Sequence, residues 1–397
     1  MSVLHNNRIV IALCVLLTLA VSSSPSVAYP PDPENAALLY YQAFLTLPKA
    51  EEPVDTQFRD YARGKIELNK AIEDYVGSCR GAIKLAVVAS ELRQCDWGLR
   101  YSEGFDMLLS HLGQTRGLVQ VLIADARIQV SKGNRELALE RCVTALKMSR
   151  HVGNETLVSS LVGTAVEAMA GVCIADLLGQ MPANSKLLEQ LKAELASQAK
   201  KPPSVIRPLE MERKVAAEQM SMDKIGDLMR ALDAEKSEEE VLEEVRELGG
   251  EAFLKKSRDY YTKHMDSVMS ILRRGAPYAK THQQLTELAG QLPEDPGPEK
   301  NPEAMFTTAV TPAISRIYGI MIRGRTQANA LRTAVDIHIS KAKTGKLPNA
   351  LPSGLPKDLF SGKDFEYEKT KAGFVLRCRA KDLDKDKTQE YDFKVAK

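Results

Sequence analysis

Residues 118–180 read LVQVLIADARIQVSKGNRELALERCVTALKMSRHVGNETLVSSLVGTAVEAMAGVCIADLLGQ. Apolar side chains recur there at the three- and four-residue spacing of a helix face, in three runs. Lys-Gly-Asn and Val-Gly-Asn separate the runs, and Gly-Asn both stops one helix and caps the next. Connections this short fold each helix back against its predecessor. A chain with this centre must be built by packing helix on helix. Aromatic residues are only 6% of the chain, with a single Trp97, which also disfavours a sheet core. The expected fold class is mainly α.

The flanking sequence extends this pattern. Pro and Asp at 30–33 precede an apolar stripe of Ala36, Ala37, Leu38, Tyr41, Phe44 and Leu45, which predicts a helix start. Helices are expected over 55–76 and 79–93, and QCDWGLRYSEG, with two glycines, is expected as a loop. Another helix runs to about 199, and KKPPSVIRP reads as a connection. Charged helices follow over 208–235 and 237–273, broken near Gly249-Gly250. QLPEDPGPEKNPE carries four prolines and marks the strongest break. A long helix and strands over 364–369, 373–379 and 389–395 complete the chain. FEYEKT and FVLRCRA alternate as half-buried strands do, with Lys-Ala-Gly as the turn. The expected organisation is a signal segment over 1–28, an irregular helical body over 29–292, a linker over 293–302, and a long helix with a small antiparallel β unit over 303–397.

The first residues read as an export signal. Arg8 precedes the apolar run IVIALCVLLTLAVSSS, and Ser-Val-Ala at 26–28 offers the small residues of a cleavage site before Tyr29. The rival reading is a retained membrane anchor. No later segment is expected to span a bilayer, so the mature chain is expected in the periplasm or outside the cell. Five cysteines remain after cleavage: Cys79, Cys95, Cys142, Cys173 and Cys378. Export permits disulfides, and Cys79 with Cys95 flank one helical run as the candidate pair. The odd count leaves at least one thiol over.

Several chemistries are excluded by missing residues. The chain has no GxSxG, HExxH, P-loop or GxGxxG before a helix, and no CxxC. No catalytic residue and no cofactor is expected. His111, His151, His264, His282 and His338 are scattered singly. Paired acids such as Glu239-Glu240 read as a solvated face. The net charge of +2 gives no global field toward nucleic acid. Arg323, Arg325 and Arg332 on the long helix read as surface arginines laying their stems on apolar neighbours. In KDLDKDKTQEYDF, Asp382, Asp384 and Asp386 alternate as in the first half of a calcium loop. The turn glycine is replaced by Lys387 and the closing acid by Phe393. The preferred reading is an exposed charged turn, with a weak calcium site as its rival.

Three resemblances add to these readings. Ala126, Gly133, Ala138 and Ala145 fall at the spacing of small residues in one tetratricopeptide (TPR) hairpin, although a shift of one repeat does not return the glycine. NAALLYYQAFLTLP, LVGTAVEAMA and the closing Gly-Lys-Leu-Pro with LPxDxFSGxxFxY together resemble exported bacterial proteins of the planctomycete type, which implies no activity. Residues 324–379 resemble the C-terminal region of type II secretion pseudopilins, through Gly345, Pro348, Leu355, Pro356, Asp358, Gly362, Tyr367 and Phe374. That resemblance implies a helix, a proline-punctuated loop and a small sheet. The N-terminus is not of the prepilin type, so filament assembly is not implied.

Three functions remain open at this stage, among them a structural reading in which the C-terminal unit is an assembly module. One is a non-enzymatic scaffold of the cell envelope that presents a helical groove to protein or peptide partners. The alternative is an enzyme or a small-ligand or metal-binding protein with its site between the helical body and the C-terminal unit.

Overall fold

The computed structural model describes residues 32–395 except 154, 181–184, 201–203, 227–236, 295–299 and 312. The expected signal segment and the centre of the expected linker lie outside these residues.

The described chain opens with α1 (Ala36–Thr46), α2 (Val54–Ala62), α3 (Lys70–Ser78) and α4 (Arg80–Glu91). Asn35 caps α1 by accepting from Ala37 N at 3.1 Å. It also exchanges two 2.9 Å hydrogen bonds with the Asp96 backbone, which ties the chain start to the Trp97 loop. The single helix expected over 55–76 is two helices. Gly64 sits at φ +71°, a left-handed conformation that ends α2, and Asn69 then caps α3 through Ile72 N at 3.0 Å. The loop around Trp97 is largely exposed, but its indole turns inward. The indole is 3% exposed, stacks on His111 at 4.5 Å and donates to the His151 carbonyl at 2.8 Å.

The three central runs form α5 (Ser110–Ser131), α6 (Arg135–Val152) and α7 (Leu157–Leu178). Ala126, Ala138 and Ala145 are fully buried, as small residues at a close helix interface must be. Thr156 and Ser159 start α7 with a reciprocal capping box. Beside that turn, α6 and α7 approach so closely that a Cβ on Gly163 would lie 2.7 Å from Gly153 Cα.

The chain continues through α8 (Ser185–Ala199), α9 (Ile206–Gln219), α10 (Glu238–Glu247), α11 (Glu251–Arg273), α12 (Tyr278–Ala289), the short α13 (Met305–Val310) and α14 (Ile314–Thr344). The break expected at Gly249-Gly250 is present, with both residues at positive φ. After α14 come β1 (Glu366–Lys369), β2 (Gly373–Asp382) and β3 (Lys387–Lys394), an antiparallel sheet in the order β1-β2-β3. Phe374 pairs with Phe393 and Leu376 with Tyr391. Phe374, Leu376 and Cys378 are fully buried, one face of a strand with period two. The protein is therefore mainly helical with a small C-terminal sheet, as expected.

Two apolar cores hold this arrangement. The first joins α1 to α8, most of α14 and the sheet. The second joins α9 to α13 with Leu157 and with Ile314, Ile317 and Met321 of α14. At 31 residues α14 is about 46 Å long, enough to run through both.

The expectation that no segment after the signal spans a bilayer meets two helices that are long and apolar enough to do so, a test that buried core helices also pass. By length and composition, Leu157–Leu178 and Pro302–Thr344 both qualify. In the fold, α7 packs between α5, α6 and α14. Its two charges, Glu167 and Asp176, both lie beside arginines.

Candidate functional site

Where α14 crosses α6, α7 and α8, a cleft of about 190 Å³ remains. Small side chains make the room: Ala168 and Gly171 on α7, Ala199 on α8, Gly324 and Ala328 on α14. Gly324 cannot be enlarged without displacement, because its Cβ would lie 2.7 Å from Thr164 Cγ2.

The polar lining is strongly biased in charge. Arg150 enters from the last turn of α6, and Arg325 and Arg332 enter from α14. Seven residues at 100° each bring Arg325 and Arg332 to within about 20° of the same helix face. Among the described residues Glu167 is the only carboxylate on the lining. Arg150 lies 3.6 Å from Glu167 and donates to the Gln198 carbonyl at 3.0 Å. Burial raises the Glu167 carboxyl pKa, opposed by Arg150 and Arg325. Neither Arg325 nor Arg332 makes an ion pair among the described residues. Arg332 has only a 3.4 Å hydrogen bond to Asn329, whose amide in turn donates to the Lys357 carbonyl at 2.8 Å. Three guanidinium groups thus face one carboxylate in a partly enclosed space, a surplus of two positive charges when Glu167 is ionised. Gln198, Gln327 and Asn329 add amide groups.

Arg323 lies only two residues from Arg325, about 200° around the helix, and it does something different. It donates to Asp382 at 2.6 Å and reaches Asp384 at 3.5 Å. His282 of α12 meets Asp384 at 2.8 Å, and the Tyr278 hydroxyl accepts from Leu383 N at 3.0 Å. Gln389 donates to Asp382 at 3.1 Å. This cluster pins the β2–β3 turn to α12 and α14. Gly319 of α14 is part of the fit, because any Cβ there would collide with the Asp384 carboxylate.

The calcium-loop residues are accordingly divided. Asp382 is fully buried on Arg323, Asp384 is shared by His282 and Arg323, and Asp386 pairs with Lys381 at the surface at 2.8 Å. The exposed-turn reading describes Asp386 alone. Among the described residues, no three His, Cys, Asp or Glu side chains gather as a metal set. The surface-arginine reading holds for Arg325, which is exposed at the rim of the cleft; Arg332 lines the cleft half-buried, and Arg323 departs from the reading as the half-buried anchor of the β2–β3 turn.

The isolated histidines have separate fates. His151 meets the Tyr40 hydroxyl at 2.9 Å. His111 is buried with both ring nitrogens lacking protein partners and His338 with its Nε2 lacking one, and burial lowers both to a pKa of about 4. Cys79 and Cys95, the expected pair, are separate thiols, raised by burial to about 11 and about 12. The cysteines that touch are Cys142 and Cys173, Sγ to Sγ at 3.1 Å.

Arg150, Glu167 and Gln198 were not singled out by sequence reasoning. One signal was present: Glu167 stands mid-way along a 22-residue helix that otherwise carries only Asp176 as a charge. A carboxylate there must face a cation or a cavity.

No protein-family model, curated protein or solved structure matches the chain.

Proposed function

We propose that this chain is an exported binding protein for a small anionic ligand, held in the cleft between the helical body and α14. The observation that carries this reading is that Arg150, Arg325 and Arg332 line one cavity whose only carboxylate, among the described residues, is Glu167. Guanidinium forks bind carboxylate, phosphate or sulfate through paired, charge-assisted hydrogen bonds. A volume of about 190 Å³ suits a small acid better than a nucleotide or a peptide. Among the described residues the lining holds no serine, cysteine or histidine, so a binding role is preferred to a catalytic one. The scaffold alternative relies on an open helical groove, whereas α14 packs across α7 and α8.

Titration calorimetry with sulfate, phosphate and two- to five-carbon carboxylic acids tests the reading. Binding by at least one of these should weaken at least tenfold in R325Q/R332Q and fall with ionic strength. If none binds the wild-type protein, or if binding is unchanged in the double variant, the reading fails.

A further inference from the structure

We infer that Cys142 and Cys173 form a disulfide that staples α6 to α7 when the chain folds in an oxidising thiol environment. Their sulfurs lie 3.1 Å apart, closer than ordinary sulfur contact, on neighbouring helices joined by a short turn. Both residues are buried, at 0% and 1% exposure. Three facing pairs agree in register along this hairpin: Gly153 with Gly163, Arg150 with Glu167, and Cys142 with Cys173. The residue numbers in each pair sum to nearly the same value, as antiparallel neighbours require. The helix register therefore places the two cysteines opposite each other, and their side chains bring the sulfurs into contact. The staple also fixes the two helices that supply Arg150 and Glu167 to the cleft.

The chemistry is a two-step exchange with a small disulfide such as oxidised glutathione. One cysteine thiolate attacks a glutathione sulfur, forms a mixed disulfide and expels one glutathione thiolate. The second cysteine thiolate attacks the protein sulfur of that mixed disulfide and expels the other. Two protein thiols are oxidised, one glutathione disulfide is reduced, and the two thiol protons end on the two glutathiones. Once packed, the Cys142 thiol is held protonated by its contact with Cys173 and by burial, so exchange belongs to the folding chain, before the hairpin closes.

The test is to refold the full-length reduced chain with oxidised and reduced glutathione, alkylate it under denaturing conditions and digest it with trypsin without reduction. Cleavage after Arg141, Lys147, Arg150 and Lys186 places Cys142 in residues 142–147 and Cys173 in residues 151–186. The expected result is one peptide joining these two segments. Alkylation of both cysteines, or a bridge from either to Cys79, Cys95 or Cys378, overturns the inference. As a second measurement, reduction should lower the thermal midpoint of the cross-linked protein by several degrees and leave that of C173A unchanged. An equal response in C173A also overturns it. None of these outcomes depends on whether the cleft binds an anion.

Discussion

Arg323, on α14, donates to Asp382 at 2.6 Å, and the Asp382 side chain is completely removed from solvent. The two residues are 59 positions apart, and the contact locks the β2–β3 turn onto the long helix. A buried carboxylate without its cation is costly, so Arg323→Met should destabilise the protein by about 3–5 kcal/mol. The double variant R323M/D382N should recover part of that loss. Urea unfolding of the wild type, R323M, D382N and the double variant measures the coupling. Additive effects would mean that the contact is energetically idle.

Two glycine-to-alanine changes should have opposite signs. At Gly163 the new methyl would meet the Gly153 backbone, which has no flexible end to move aside, so G163A should cost about 1–3 kcal/mol. At exposed Gly113, inside α5, nothing lies within 4 Å, and G113A should stabilise by about 0.5–1 kcal/mol. Denaturant midpoints of the two variants give the comparison directly.

Acid should unfold the protein partly through its histidines. His111 and His338 are kept neutral by burial, with pKa values of about 4 in place of the usual 6.5. His111 lies against Trp97, and His338 lies against Phe374 with Lys341 nearby. Between pH 6.5 and 4 the unfolded chain binds protons that the folded one refuses. Stability is therefore full above about pH 6.5 and falls as the pH drops, by about 3 kcal/mol per histidine near pH 4. Burial lowers His151 and His264 in the same direction. Guanidinium unfolding at pH 7.5, 5.5 and 4.5 should show the decline, and H338L should flatten it.

Glu167 should set the pH response of anion binding. Its carboxyl is raised by burial, so it takes up a proton earlier in acidification than an ordinary glutamate. Protonation removes the one negative charge on the lining, and sulfate, which stays ionised, should bind several-fold more tightly. E167Q should bind sulfate tightly at neutral pH and lose the pH dependence. Calorimetry at pH 7.5 and 5 distinguishes the variants.

The helical architecture was legible because its signals are local. Glycine-asparagine stops, alternating strand residues and proline clusters act within a few positions, and α5, α6, α7 and β2 fall close to where those signals place them. The lining of the candidate cleft was not legible. Asp382 and Asp386 belong to one charged stretch and look alike in sequence, yet one is fully buried and the other is at the surface. What separates them is Tyr278 and His282, about a hundred residues away in the chain. Arg323 and Arg325 differ in role for a helical reason, since two steps along α14 turn a side chain to the opposite flank. Which flank meets the cleft was decided by packing, and no local pattern records it.

The reach of α14 through both cores bears on how the protein can be made. During synthesis the first three hundred residues leave the ribosome without the helix that closes either core. Until then α7 presents the face that α14 will cover, and α11 lacks part of its apolar partners. The nascent chain is therefore committed to finish folding late, after residue 344 has emerged, and a truncation before α14 should give an aggregating chain and not a smaller folded protein.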